Sequence, residues 1–242
     1  MPPPPRPATP TSSSVDVVSG YSERPAAGLA CAWRRWSDVP TTGRVVPDGC
    51  TDLMWSSTGA LFVAGPDTTG HLTTMRPGTL HGVRFGPGVG PSVLGVPAHV
   101  LRDLRVPLAE LWGRSTELED TLAAAADPCA VLAEAALTRL RTSPPDPLTQ
   151  AVASAVRTSP VADIADDLGL STRQLHRRCL DAFGYGPKVL HRVLRFDRAV
   201  KLAWRGVPFA DIAYRTGYSD QAHLSREVKD LAGVPLRQLM RP

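Results

Sequence analysis

The apolar positions in the last third of the chain recur with the period of a helix. Val161, Ile164, Ala165 and Leu168 stand at i, i+3, i+4 and i+7, and Phe209, Ile212, Ala213 and Thr216 repeat that spacing. Each set predicts a helix that buries one stripe. The surrounding stretches, "VADIADDLGLS" (161–171) and "FADIAYRTGYS" (209–219), align at an offset of 48 with six of eleven positions identical. Gly169 and Gly217 supply a residue able to take positive φ where the first helix of each copy ends. A polar cap then opens a second helix, and in the first copy Ser171 and Gln174 make an S-x-x-Q capping box. The second copy carries one more residue before its first buried leucine, Leu224, so its cap is expected to pass from Ser219 to Asp220. Helix, short glycine turn, helix describes a helix-turn-helix unit. The two units are joined by a predicted long helix, Pro187 to Trp204, with Leu190, Val193, Leu194, Val200 and Ala203 on its core face.

Upstream the pattern differs. "LACAW", "DLMW", "ALFVAG" and "HGVRFGPG", within residues 28–95, are short strand-like runs separated by turn material. A β-barrel or sandwich is the natural outcome. Residues 97–141 switch to helical spacing, in "PAHVLRDL", "STELEDTLAAAA" and "PCAVLAEAALTRLRT". Three prolines in "SPPDP" (143–147) interrupt it and mark a domain boundary. The predicted fold class is α+β: a β-rich domain with C-terminal helices over 15–146, then an all-α domain over 147–242. Residues 1–14, "MPPPPRPATPTSSS", have almost nothing to bury and are expected to be a disordered tail.

Charge changes the picture for one part only. Residues 147–242 hold 15 Lys and Arg against 9 Asp and Glu, whereas residues 1–146 hold 12 against 14. An anionic partner is therefore expected for the C-terminal third. Only three of the 27 basic residues are lysine, which favours forked, bidentate donors. Apolar residues make up 43%, enough for a globular core, and no signal peptide or membrane span is visible, so a cytoplasmic protein is expected.

In a helix-turn-helix the second helix lies in the major groove and its early residues meet base edges. With Leu175, Cys179 and Phe183 buried, Arg173 and Arg177 fall on the opposite face, flanked by Gln174 and His176. Arginine bonds guanine and glutamine bonds adenine through paired hydrogen bonds. Arg178 points sideways and, with Lys188 and Arg192 on the joining helix, is a phosphate candidate. In the second copy Arg226 takes the place of Arg177, His223 that of Gln174 and Ala222 that of Arg173, with Gln221 alongside and Ala222 available to a thymine methyl. Arg195 and Arg198 could instead pair with Asp residues and brace the two units.

On these residues the chain from 148 to 241 resembles the DNA-binding domain of the AraC/XylS family of bacterial transcription regulators. "GYSDQAHLSREVKDLAGVPLRQL" is similar to that family's signature, and "VADIADDLGLSTRQLHRRCLDAFGYGPKVLHRVLRFDRA" matches it as well. The resemblance implies two helix-turn-helix units on one face of double-stranded DNA, in successive major grooves. "VVPDGCTDLMW", "VAGPDT" and "GVRFGPG" further upstream resemble the sensor half of an AraC-like subfamily. That implies a cupin-like barrel, with a small-molecule effector and a homodimer as expected partners. For an activator, RNA polymerase is a further expected partner.

Two other functions have residues to recommend them. Asp48, Cys50 and Asp52 cluster in "PDGCTD", and His71 and His81 lie on nearby strands, types that a metal or redox sensor requires. Pro-Asp-Gly is also strong turn chemistry, which is the simpler reading. A metal-dependent cupin enzyme carrying a DNA-binding domain is the alternative, but His71, His81 and His99 lack a close motif spacing. No Ser-His-Asp arrangement, Walker loop or GxGxxG is present either. Trp33, Trp36, Trp55 and Trp112 are candidates for an apolar effector pocket, or simply core. The expectation is a regulator with no catalytic residue, no metal and no cofactor. A binder without sequence preference is a third reading, distinguished by whether promoter and random DNA compete equally.

Overall fold

The computed structural model describes residues 19–156, 159 and 161–240, with 161 and 162 described by backbone alone. The expected tail, 1–14, lies outside the described residues. Six strands, β1 (Ser19–Arg24), β2 (Cys31–Ser37), β4 (Thr51–Ser56), β5 (Leu61–Ala64), β7 (Gly78–Phe85) and β8 (Arg105–Pro107), form one antiparallel sheet in the order β1-β2-β7-β4-β5-β8. A second sheet pairs β3 (Thr41–Val45) with β6 (His71–Met75). The helices that follow are α1 (Gly90–Leu94), α2 (Leu108–Trp112), α3 (Thr116–Ala124) and α4 (Pro128–Thr142). The C-terminal part is entirely helical: α5 (Pro147–Ala155), α6 (Val161–Asp167), α7 (Thr172–Phe183), α8 (Pro187–Trp204), α9 (Phe209–Thr216), α10 (Gln221–Ala232) and α11 (Leu236–Leu239). The α+β class expected from the pattern is the class observed.

The strand alternation explains how the larger sheet is used. Ala32, Leu53, Trp55, Val63, Val83 and Phe85 are buried together with Leu132 and Ala136 of α4. Their alternate neighbours Cys31, Trp33, Met54 and Ala64 form a separate cluster. Side chains of a strand point to opposite faces in turn, so a sheet with two covered faces needs both sets apolar. Tight contacts here require glycine: a Cβ on Gly82 would lie 2.3 Å from the Trp33 indole.

Between Pro97 and Pro107 the chain departs from the helical expectation. "PAHVLRDL" makes only a four-residue 3-10 turn, Ala98–Leu101, and then β8, which pairs with β5. Its apolar spacing serves both conformations, and the available sheet edge at β5 decides between them. The strands β1, β3 and β6 have mixed or exposed patterns that gave no clear period. The "SPPDP" interruption falls where expected, between the end of α4 and the start of α5, whose cap is Asp146.

Gly82→Ala is expected to destabilise the protein by about 1–3 kcal/mol, because the indole beneath it has to move. Gly86→Ala, which meets nothing within 4 Å, should change stability by less than about 0.5 kcal/mol. Urea unfolding followed by tryptophan fluorescence measures both, and equal effects would refute the packing assignment.

Candidate nucleic-acid interface

Helix α8 belongs to two cores at once. Leu190, Val193 and Leu194 are buried with Ile164, Ala165, Leu175, Cys179 and Phe183. Phe196, Ala199 and Val200 are buried with Ile212, Ala213, Leu224, Val228 and Leu231. Helices α6–α7 and α9–α10 are therefore the two units anticipated from the repeat, hung on the two halves of one helix. The turns are built as their residues require: Gly169 has φ +63° and Gly217 φ +75°. Ser171 and Gln174 form the full capping box, and the second cap is Asp220, which accepts from the His223 amide at 2.6 Å.

The polar residues of α7 and α10 separate into two groups. Arg173, Arg177, Gln221, Ala222 and Arg226 are exposed. None of the three arginines has a hydrogen bond or ion pair within the protein among the described residues. Arg173 and Arg177 lie one turn apart on the face of α7 away from Leu175 and Cys179. Lys188, at the start of α8, is exposed and borders a hollow of about 410 Å³ with Thr172 and His176 of α7. Of these, the arginines, Gln221 and Lys188 present donors that no partner among the described residues uses, and Ala222 presents a methyl group.

The other five side chains anticipated at the interface have work inside the protein. Gln174 Oε1 accepts from the amide and hydroxyl of Ser171, both at 2.8 Å. The His176 ring packs on Gly186, where a Cβ would come within 2.6 Å. Arg178 Nη1 donates to Asp146 Oδ2 at 3.1 Å. His223 meets Tyr218 edge to face, and its Nδ1 lies 3.1 Å from the Ser219 hydroxyl. Arg192 donates from Nε to Glu227 Oε1 at 2.9 Å and from Nη2 to Oε2 at 3.4 Å.

Glu227 is the residue that sequence reasoning missed. Arg195 also donates to it, at 3.3 Å, while stacking over the Tyr218 ring at 4.2 Å. One carboxylate of α10 thus joins two arginines of α8: Arg195 takes the bracing role anticipated for it, with a glutamate where an aspartate was expected. Burial alone would push this carboxyl up. The hydrogen bond and charge of Arg192, with those of Arg195, outweigh burial and hold it below its ordinary value. The signal was available: Glu227 sits next to Val228 and three residues after Leu224, on a line that the pattern marks as buried.

The residues that suggested a metal or redox site are parted. Asp52 and Asp48 flank Arg84, whose Nε lies 3.1 Å from Asp52 and Nη1 3.6 Å from Asp48. Trp33 donates to Asp52 at 2.7 Å. A guanidinium thus stands where those carboxylates would hold a cation. Cys50 closes a turn by donating its amide to Asp48 at 2.8 Å, and burial pushes its thiol well up. His71 faces Arg105, His81 faces Cys129 and His99 faces Asp181. Among the described residues no three His, Cys, Asp or Glu side chains converge as metal ligands, and no helix is long and apolar enough to cross a membrane. Of the four tryptophans considered for a pocket, Trp33 and Trp55 are buried in the two sheet clusters, Trp36 lies under Arg34, and Trp112 under Arg139.

Comparison with known proteins agrees with this geometry. Residues 164–241 match a family described as a helix-turn-helix domain, and residues 25–107 match a domain of unknown function (DUF6597). A 1.65 Å structure of ToxT from Vibrio cholerae is 12% identical, covers 91% of this chain and 99% of its own, and superposes with a TM-score of 0.50. A second ToxT structure, from Vibrio cholerae O395, is 12% identical, with coverage of 92% and 99% and a TM-score of 0.48. The first of these shows a similar overall fold. No curated protein matches the chain.

Glu227→Gln is expected to cost about 1–3 kcal/mol at neutral pH. A carboxyl held below its ordinary value stabilises the fold above that value and ceases to do so as pH falls through the folded-state value. The gap between wild type and variant should therefore close below the ordinary glutamate value of 4.5. Thermal unfolding as a function of pH tests this, and a gap that stayed constant down to acid pH would exclude the ion pair as its source.

Proposed function

We propose, from the premise that this chain is a DNA-binding transcription regulator of the AraC/XylS type with its helix-turn-helix domain at residues 164–241, that Arg173, Arg177 and Arg226 read base edges in two successive major grooves. The observation that carries this reading is the pair of equivalent second helices, which expose Arg173 and Arg177 on one and Arg226 on the other, all without partners among the described residues. An unpaired guanidinium fits the paired acceptors of guanine. Gln221 and Ala222, exposed on the first turn of α10, meet adjoining bases, with the Ala222 methyl available to thymine. Lys188 contacts phosphate, and Arg178 adds a second phosphate contact where its pair with Asp146 opens. Arg192, engaged with Glu227, holds α10 in place. Gln174, His176 and His223 shape the helix tips.

Residues 15–146 act as the sensor or dimerisation domain and residues 147–242 as the DNA-binding domain. Regulation runs through a small-molecule effector or self-association of the first domain, with RNA polymerase as a further partner when the protein activates. The protein works in the cytoplasm, at the nucleoid, and performs no catalysis. The guanidinium of Arg84 between Asp48 and Asp52 supports this over a metal-dependent enzyme.

Selection of sites from random DNA with the full chain should yield two distinct half-sites. Arg173→Ala and Arg177→Ala should each relax base preference in one half-site and Arg226→Ala in the other, at about 1–3 kcal/mol per lost bidentate contact. Lys188→Ala should weaken all DNA about equally and lower the salt dependence. An unchanged preferred site for Arg177→Ala would refute the assigned face. Equal binding of all sequences by wild type would make the protein an architectural binder.

A further inference from the structure

The two DNA-facing helices end on the same short piece of the β-rich domain. The last carbonyls of a helix have no partner within it, and a cation there meets the negative end of its dipole. At the end of α7, Arg102 donates from Nη1 to the Gly184 carbonyl at 3.2 Å. A Cβ on Gly184 would come within 2.7 Å of Pro66. At the end of α10, Arg44 donates from Nη1 to the Ala232 carbonyl at 2.9 Å, and the Gly70 amide donates to the Leu231 carbonyl at 2.6 Å. A Cβ on Gly70 would lie 2.6 Å from the Ala232 oxygen. Each helix thus receives an arginine from the β-rich domain at its C-terminal end, on the capping residue Gly184 after α7 and on the last residue, Ala232, of α10. Their ends rest at opposite ends of one stretch, Pro66–Gly70.

That stretch is short and stiff. Four residue steps span at most about 14 Å. It is anchored along its length to Asp103 and to Arg105, the first residue of β8. Asp67 receives a two-pronged bond from Arg105 at 2.9 and 2.7 Å. Thr68 donates its amide to Asp103 at 2.6 Å, and the Asp103 amide donates to Pro66 at 3.1 Å. Asp103 holds φ +59°, a conformation a non-glycine residue keeps only where its surroundings impose it. The contacts tie the far ends of α7 and α10 to one rigid spacer and leave Arg173 and Gln221, at their near ends, exposed.

We infer that Arg44, Arg102 and the stretch Pro66–Gly70 are positioning residues for DNA reading: they set the separation of the two recognition helices and hence the spacing of the two half-sites. The β-rich domain is then part of the measuring device. This rests on the DNA-reading function proposed above. None of these residues touches a base, so they govern the distance between half-sites and leave the bases within each to α7 and α10. One base-pair step is about 3.4 Å, so small freedom at either helix end changes which spacings are accepted.

The test is selection from random DNA with the full chain, comparing wild type, the double variant Arg44→Ala/Arg102→Ala, its Lys/Lys counterpart, and Gly70→Ala. Circular dichroism checks each fold. Wild type should enrich two half-sites at one spacing. The double alanine variant should enrich the same bases, with spacings one base pair shorter and longer also accepted, and the lysine pair should narrow the distribution again. Gly70→Ala keeps its amide donor but drives a methyl against the Ala232 backbone, so it should lower enrichment at the wild-type spacing relative to its neighbours. A folded double alanine variant that keeps the single wild-type spacing, whatever its affinity, overturns the inference. It removes no core side chain and decides the question even if Gly70→Ala does not fold. A wild type that enriches no site would instead overturn the DNA-reading function.

Discussion

Helix α8 lends Leu190, Val193 and Leu194 to one core and Phe196, Ala199 and Val200 to the next. An 18-residue helix is about 27 Å long and does not bend easily. Two units packed on its halves share one frame. Glu227, shared by Arg192 and Arg195, adds a charged tie between α8 and α10 close to the second core. Packing on this shared helix gives α7 and α10 their approximate relative orientation, and the contacts of Arg102, Arg44 and Gly70 hold their far ends.

The same economy explains which polar residues remain available. A helix start needs acceptors for its free amides, so Ser171, Gln174 and Asp220 are used locally. A helix end needs donors for its free carbonyls, and Arg102, Arg44 and Gly70 supply them from another part of the chain. After these needs are met, Arg173, Arg177 and Arg226 remain without partners among the described residues. Exposed arginines on a satisfied helix have little to do for stability, and that supports the reading role proposed for them.

The charged groups of the β-rich domain follow a different logic. Arg84, Asp52, Asp48 and Trp33 converge on one side of the sheet, where polar groups taken out of water must find each other. What looked from spacing like ligands for a cation is a carboxylate pair already served by a guanidinium. Cys50, its thiol pushed up by burial, is a packing residue in a turn.

Much of the C-terminal half was legible in the chain because its signals are local. The stripe at i, i+3, i+4, i+7, the glycines at 169 and 217, and the caps at 171 and 220 each act within five residues, and the repeat showed the unit twice. The faces of α7 and α10 followed from the same period. Tertiary structure alone decided the rest. Whether Arg192 faces solvent or Glu227 depends on a residue 35 positions away, and Arg44 finds Ala232 across 188. The conformation of 98–107 was settled by an open edge at β5, which no local spacing encodes. The sequence by itself determined two helix-turn-helix units and the side chains on their outer faces. Only the packed structure decided which of those side chains are free, because ion pairs and helix-end contacts form between segments that the chain brings together after its local elements exist.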